Sequence, residues 1–447
     1  MALRIRAEIA QGEIRRRNLS RILGQLHLRG SMTRSELVLS LGVNRSTVAS
    51  LVAELAARGL VLERARDRTL PQSAPGRPSP IAELSADGPA VLALEFSTDW
   101  IRAAVIRLGA SVVASAEIDQ ALSASSLAST LDEAYELVAR MLDQLPRRPR
   151  LVAIGVSVPG VVRAEDGHVF HAPNLGWHDV PLGAMVRRRF DSLGVPVFVG
   201  NDADLATWAE HLRGSGRGTD DFICLWGEGG LGAGVVVGGR ALIGAAGYAG
   251  EVGHMVIDPD GPECRCGSRG CWESKLGEEA LLVRSGRDPS GGSAAVSDLL
   301  AAAATGDVRA LDAMAESGRW LGIGIAGLVN IFNPSRVALG GLNARIYPYS
   351  KEALLRELNA RAMPAPRAML ELTTARLGAD ALLIGASELA FAPILQDPTI
   401  VPLSGDPDPV DFRRRAGPPL DRWSVAEPAQ GGDGRPKFSG QLSLSTV

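Results

Sequence analysis

"AVLALEFSTDWIRAAVIRLGASVVASAEI", residues 90–118, is an apolar, β-branched run broken at Ser97–Asp99 and again at Gly109. Runs of this kind between turn-forming residues make strands, so the stretch predicts three strands in succession. The same punctuation returns in "DFICLWGEGGLGAGVVVGGRALIGAAG", residues 221–247: strand, Gly-rich turn, strand, Gly-Gly turn, strand. Between them lie a helical stretch at about Leu127–Leu145 and another apolar strand, "LVAIGVSVPGVV" (151–162), with a Pro-Gly turn near its end. Alternating strands and helices predict an α/β protein. Two similar βββ-then-α/β blocks predict a duplicated fold with a cleft between its lobes.

The chain has 447 residues, enough for two or three domains, and its 46% hydrophobic content can supply their cores. The start, "MALRIRAEIAQGEIRRRNLS", is too polar for a signal peptide. The longest apolar candidate read from the sequence, "LGIGIAGLVNIF" (321–332), is shorter than a membrane span requires. A cytoplasmic location is therefore expected, where thiols stay reduced.

The formal net charge of −3 hides an asymmetry. Residues 1–80 carry 14 Arg, no Lys and 6 acids, whereas the remainder carries 33 basic and 44 acidic residues. A basic first domain on an acidic body suits a polyanionic partner, although a solvated basic face has the same composition.

The pattern within this domain favours DNA. In "EIRRRNLSRILGQLHLRG", Ile14, Leu19, Ile22, Leu23 and Leu26 recur at helical spacing and Gly30 closes the run. Thr33 with Glu36 forms a capping box for a short helix that opens with Arg34 and ends near Leu41. Gly42 turns the chain, and Asn44 caps a third helix with the stripe Val48, Leu51, Val52 and Leu55. This is helix-turn-helix order, and Arg34, Asn44, Arg45, Ser46 and Thr47 are the candidate DNA contacts. The following "LVLERARDRTLPQSAPGRPSPIAEL" reads as strand, loop, strand, a wing in which Arg77 could enter a minor groove. A three-helix protein-interaction module is the alternative.

"CRCGSRGCWE", residues 264–273, holds three of the four cysteines. Neighbouring CxC cysteines seldom pair with one another, and a redox pair more usually reads CxxC. Three soft thiolates suit zinc. His254, in the preceding "AGEVGHMVID", would complete a Cys3His site with Cys264, Cys266 and Cys271; free thiols are the alternative. Glu251 and Glu273 flank these ligands, so a metal that ties the segments together would also gather two carboxylates. "GEGGLGAG", residues 227–234, is either a phosphate-wrapping loop or a hairpin turn.

Taken in order, "VSVPGVV", "HAPNLGW", "GNDADLATWAE", "GLGAGVVVGGR", "GAAGYAGEVGHM", "CRCGSRGCWE" and "NPSRVALGG" resemble the ROK family of repressors, open reading frames and sugar kinases, over roughly residues 13–398. The resemblance implies a two-lobed, actin-like α/β fold behind an N-terminal winged helix-turn-helix. The corresponding division is a DNA-binding domain (1–70), wing and linker (71–88), first lobe (89–200), second lobe with the zinc site (201–376), a C-terminal helix returning to the first lobe (377–398) and a disordered tail (399–447). It makes His254, Cys264, Cys266 and Cys271 ligands of a structural Zn2+, with His254 offering its other ring nitrogen to a sugar. Asn201, Asp202, Glu251, His254 and Glu273 become sugar-contacting positions, joined by Gly160 and Asn174. Asp202 matches the catalytic base of the kinase members.

One departure bears on activity. Kinase members open their first lobe with Asp-x-Gly-Gly-Thr-Lys, but here the place reads Glu95-Phe96-Ser97-Thr98-Asp99-Trp100. The second phosphate loop, usually Gly-Thr-Gly, reads Glu228-Gly229-Gly230. An acid beside a phosphate repels it. The expectation is a cytoplasmic transcriptional regulator without catalytic activity, a repressor of carbohydrate metabolism genes, acting as a homodimer or homotetramer that binds an operator DNA duplex and a sugar or sugar-phosphate effector. The alternatives are a sugar kinase with a DNA-binding appendage and a DNA-binding protein indifferent to sugars.

Overall fold

A computed structural model of the chain describes residues 2–65, 79–122 and 125–403, with side chains from Gln11 onward. The first element, α1 (Ala2–Arg29), begins well before the helical pattern legible in the sequence and ends at Gly30 with φ +81°. Ile14 is 63% exposed, so it lies outside the buried stripe in which its spacing had placed it. Next come β1 (Met32–Thr33), α2 (Arg34–Leu41) and α3 (Arg45–Ala57). Both hydrogen bonds of the Thr33–Glu36 capping box are present, Gly42 at φ +69° makes the turn, and Asn44 caps α3. Val48, Leu51, Val52 and Leu55 pack into one core with Leu19, Ile22, Leu23 and Leu26 of α1. β2 (Val61–Arg64) and β3 (Ile81–Leu84) complete a three-stranded antiparallel sheet of order β1-β3-β2. The loop that carries Arg77 lies outside the described residues.

The first lobe contains β4 (Ala90–Phe96), β5 (Trp100–Arg107), β6 (Ser111–Asp119), α4 (Leu127–Asp143), β7 (Leu151–Val158), β8 (Val161–Arg163), β9 (His168–Ala172), β10 (Trp177–Val180), α5 (Leu182–Arg189) and β11 (Val197–Asn201). Its main sheet has the order β11-β7-β4-β5-β6. α6 (Asp202–Arg213) leads to the second lobe, which opens with β12 (Phe222–Gly227), β13 (Leu231–Val237) and β14 (Arg240–Ala241). α7 (Glu278–Arg284), α8 (Gly292–Ala304), α9 (Val308–Phe332), β15 (Arg336–Gly341), α10 (Leu342–Arg361), α11 (Pro364–Met369) and β16 (Glu371–Thr374) follow. The second sheet runs β14-β13-β12-β15-β16. In each lobe the opening strand is central, with its hairpin partner on one side and a later parallel strand on the other. The duplication legible in the strand punctuation is therefore a repeat of topology. "GEGGLGAG" is the β12–β13 hairpin turn.

The last long helix, α12 (Ala381–Gln396), returns to pack on β4, β7 and β11 of the first lobe, while α6 packs on β12 and β13 of the second. The two helices cross at Gly385, where a Cβ would lie 2.2 Å from the Leu205 carbonyl oxygen, so only glycine permits this approach. Among the described residues, the segment Gly378–Gln396, which includes α12, has the length and apolarity of a membrane span, which residues 321–332 lack. It is largely buried between the lobes and carries a paired Glu388. Residues 399–403, which the expected disordered tail included, are among the described residues. Residues 398–400 form a short 3-10 turn and Val401 is fully buried, because Arg58 at the end of α3 donates to the carbonyls of Thr399 (3.1 Å) and Val401 (2.6 Å). The rest of the expected disordered tail, from residue 404, lies outside the described residues.

Candidate functional site

The cleft between the lobes collects side chains from several strand ends. The β4–β5 turn supplies Phe96, Ser97 and Thr98; the turn after β7 supplies Gly160; the start of α6 supplies Asn201 and Asp202. Asn174, Glu251, His254 and Glu273 complete this face, and all seven residues suggested as sugar contacts line the one cavity. Asn201 has two structural tasks: its Nδ2 donates to the Gly160 carbonyl (2.9 Å) and its Oδ1 accepts the Asp204 N–H (3.0 Å), capping α6. Gly160, at φ +118°, could not carry a Cβ, which would meet the His171 carbonyl oxygen at 2.5 Å. Glu273 Oε2 accepts the Leu231 N–H (3.0 Å), tying the zinc-type loop to the start of β13. Two further cavity-lining groups, Ser157 Oγ and His171 Nδ1, are buried and have no hydrogen-bond partner. Such orphaned polar atoms are what the hydroxyls of a polyol can satisfy. Both lie inside motifs quoted above, but neither residue type stands out in sequence as a ligand.

His254, Cys264, Cys266 and Cys271 present four donor atoms within 4.8 Å of one another. Cys264 Sγ lies 3.8 Å from His254 Nδ1, and Cys266 Sγ lies 3.7 Å from Cys271 Sγ. A tetrahedral site with Zn–S bonds of 2.3 Å has an S–S edge of about 3.8 Å, so the donor set and its spacing fit zinc. All four cysteines are free. Burial and the crowding of its neighbours push the Cys264 thiol up to about 12, so a cation is needed to hold it as a thiolate. His254 turns Nε2 the other way, 3.9 Å from Glu251 Oε2. A bound zinc would act as a structural clamp, holding the segment of Glu251 against that of Glu273.

The same cleft is lined by two further acids, Glu95 and Glu228. Glu95, 2% exposed, accepts from Trp100 Nε1 (2.8 Å) and Arg102 Nη1 (3.2 Å). Glu228 accepts from Trp226 Nε1 (3.2 Å). Burial pushes Glu95 up to about 7, with Asp202 and Glu117 adding to the effect and Arg102 opposing it. Asp202 is pushed up to about 6 by burial and by the Glu251 and Glu273 carboxylates. Glu228 lies well above its ordinary value, first from burial and then from Glu95 and Asp202. At the mouth, Arg265 spans the lobes, donating to Asn174 Oδ1 (2.9 Å) and Glu279 Oε2 (2.6 Å). No spacing rule in the sequence announced Arg265.

The candidate DNA contacts are less uniform. Arg45 and Ser46 are exposed on the first turn of α3 and Thr47 is half-buried. Asn44 Oδ1 accepts both the Thr47 N–H and the Ser46 hydroxyl (2.8 Å each). Arg34 is ion-paired with Glu63 of β2, so its charge is locally cancelled. Arg15 of α1 reaches Glu54 Oε2 (2.7 Å) and Ser50 Oγ (3.3 Å), fastening α1 to α3.

Residues 91–392 match the ROK family, two-thirds of the chain and both lobes. The chain belongs to the ROK family. Among its relatives, the xylose repressor of Bacillus subtilis (strain 168) is 28% identical over 381 residues, covering 85% of this chain and 96% of that protein. The crystal structure of a ROK family transcriptional regulator, a homolog of the E. coli MLC protein, superposes with a TM-score of 0.68 at 28% identity and covers 84% of this chain and 95% of that one. A ROK family glucokinase from Streptomyces griseus, in complex with glucose and AMPPNP, superposes with a TM-score of 0.59 at 28% identity. It covers 67% of this chain and 99% of its own. The regulator matches thus extend over more of this ROK chain than the kinase match does.

Proposed function

We propose that this ROK protein is a cytoplasmic, sugar-responsive transcriptional repressor: the N-terminal module binds operator DNA as a winged helix-turn-helix, and a sugar in the zinc-braced cleft alters that binding. The observation that carries the reading is the contrast between two sets of residues lining the cleft. The cleft keeps Asn201, Asp202, Glu251, His254 and Glu273, whereas Glu95 and Glu228 stand at the two turns where a kinase needs small, uncharged residues around phosphates. A homodimer is the natural working unit, since helix-turn-helix proteins read paired half-sites.

The two long helices at the lobe crossing supply a route between the sites. The twelve-residue α6 starts at the cleft with Asp202 and ends eleven positions later at Arg213, about 16 Å away at 1.5 Å per residue. There Arg213 Nε donates to Glu388 Oε1 of α12 (2.6 Å) and Nη1 to the His27 carbonyl of α1 (3.2 Å). Ser20 of α1 donates to the Leu395 carbonyl of α12 (2.6 Å), and the N-terminal module shares a hydrophobic core with α12. A change in lobe angle would therefore reposition the DNA-binding module. A ligand regulates only if it binds the two arrangements differently.

The retained Asp202 favours a second reading, an ATP-dependent sugar kinase with a DNA-binding appendage. Measuring operator binding and ATP turnover with and without a sugar panel separates the two. Sugar-dependent release of DNA without turnover is expected; robust turnover abolished by Asp202→Asn would replace the regulator with the kinase.

A further inference from the structure

We propose that the cleft is charge-selective, with Glu95 and Glu228 as its specificity-determining residues, so that the effector is an uncharged, unphosphorylated sugar and phosphate esters are rejected. This rests on the sugar-response reading and narrows it.

Five carboxylates line the cavity: Glu95, Asp202, Glu228, Glu251 and Glu273. None of the described lining residues is Arg or Lys. Arg102 and Arg265, which bind residues of the lining, are engaged by other partners. Arg102 sits behind Glu95 and is held by Glu95, Glu117 (3.1 Å), Asp380 (3.2 Å) and the Ala379 carbonyl (2.6 Å). Arg265 at the mouth is taken by Asn174 and Glu279. A zinc ion bound by three thiolates and a neutral imidazole adds no net positive charge. Buried carboxyls here are already driven toward their protonated forms by burial and by one another. A phosphate ester brings between one and two further negative charges at neutral pH. One such charge about 8 Å from one of these carboxylates in its ionised form, at an effective dielectric of 20, weakens binding on the order of thirtyfold, a penalty that fades as the acids take up protons. Sugar hydroxyls face no such penalty, and Ser157 Oγ and His171 Nδ1 offer them orphaned partners.

The test uses the full-length, zinc-loaded protein in titration calorimetry with matched pairs: each of a set of aldopentoses, aldohexoses and N-acetylhexosamines against its 5- or 6-phosphate. A free sugar that binds, with its phosphate ester weaker by up to roughly thirtyfold and by more at pH 8 than at pH 6, is expected. Glu228→Gln and, independently, Glu95→Gln should narrow that gap; the comparison in the unmodified protein stands even if a variant fails to fold. A phosphate ester that binds as tightly as its parent sugar overturns the inference but leaves the sugar response intact. Loss of that ester's affinity in Arg265→Ala would then place its phosphate at the mouth. If no member of either set binds, the sugar-response reading fails, and the charge selectivity with it.

Discussion

Glu388→Gln is the most informative single perturbation, because it acts on the junction between the DNA-binding module and the lobes without touching the cleft. Glu388 is 3% exposed and set in a helix otherwise dominated by apolar residues. Its Oε1 accepts from Arg213 and its Oε2 lies 2.7 Å from His27 Nε2, so one carboxylate joins α12 to α6 and to α1. The Gly109 N–H donates to His27 Nδ1 (2.9 Å), fixing the ring from the far side. Burial alone would raise the carboxyl, but His27 and Arg213 more than offset it and hold Glu388 at about 2 against an ordinary 4.5. That difference corresponds to at most about 3 kcal/mol of stabilisation of the ionised form. Because the folded-state value is depressed, this contribution is present above about pH 4.5 and fades as pH falls toward 2. Glutamine preserves shape and removes the charge, leaving Arg213 with an uncompensated, mostly buried guanidinium. Urea unfolding between pH 3.5 and 7 should show the variant less stable by up to about 3 kcal/mol at pH 7, with the gap closing below pH 4.5. Sugar affinity should stay unchanged, while the sugar-dependent change in operator affinity should shrink several-fold. A variant within about 0.5 kcal/mol of the parent at pH 7, with its operator response intact, would refute the junction as a coupling element.

Three further outcomes can be checked directly. Cys266→Ser should lower zinc content from one per chain to a sub-stoichiometric level by metal analysis, together with the melting temperature; an undiminished equivalent would remove Cys266 from the ligand set. Since burial holds the Asp202 carboxyl at about 6, sugar binding that uses its ionised form should strengthen by about tenfold between pH 5 and 7, and a flat profile by calorimetry would exclude that contact. Arg45→Ala should weaken operator binding more than Arg34→Ala, because Arg34 is already neutralised by Glu63; the reverse order in a fluorescence-anisotropy titration would move the DNA-facing surface away from the start of α3.

What was legible in the sequence was local. The Thr33–Glu36 box, the Gly42 turn and the Asn44 cap act within a few residues of themselves, and the structure shows each of them. The CxC spacing works in the same way: three donors on one short loop need only His254 from a nearby segment to reach tetrahedral distances. Glu95 and Glu228 were visible as departures at two separate turns, but their common cavity depends on how the two lobes close. The junction was not legible at all, because His27 and Glu388 are 361 residues apart and no periodicity links them. Each nevertheless left a trace that physical reasoning can use: a histidine in the stripe Leu19, Ile22, Leu23, Leu26, and a glutamate in "ALLIGASELAFAPILQ". A charged residue inside an apolar helix must find a partner or lose its charge. Such a residue therefore marks a place where another element has to arrive, even when the sequence does not say which. Here the elements that arrive are the DNA-binding module and α6, and it is the cost of leaving Glu388 unpaired that ties their positions together.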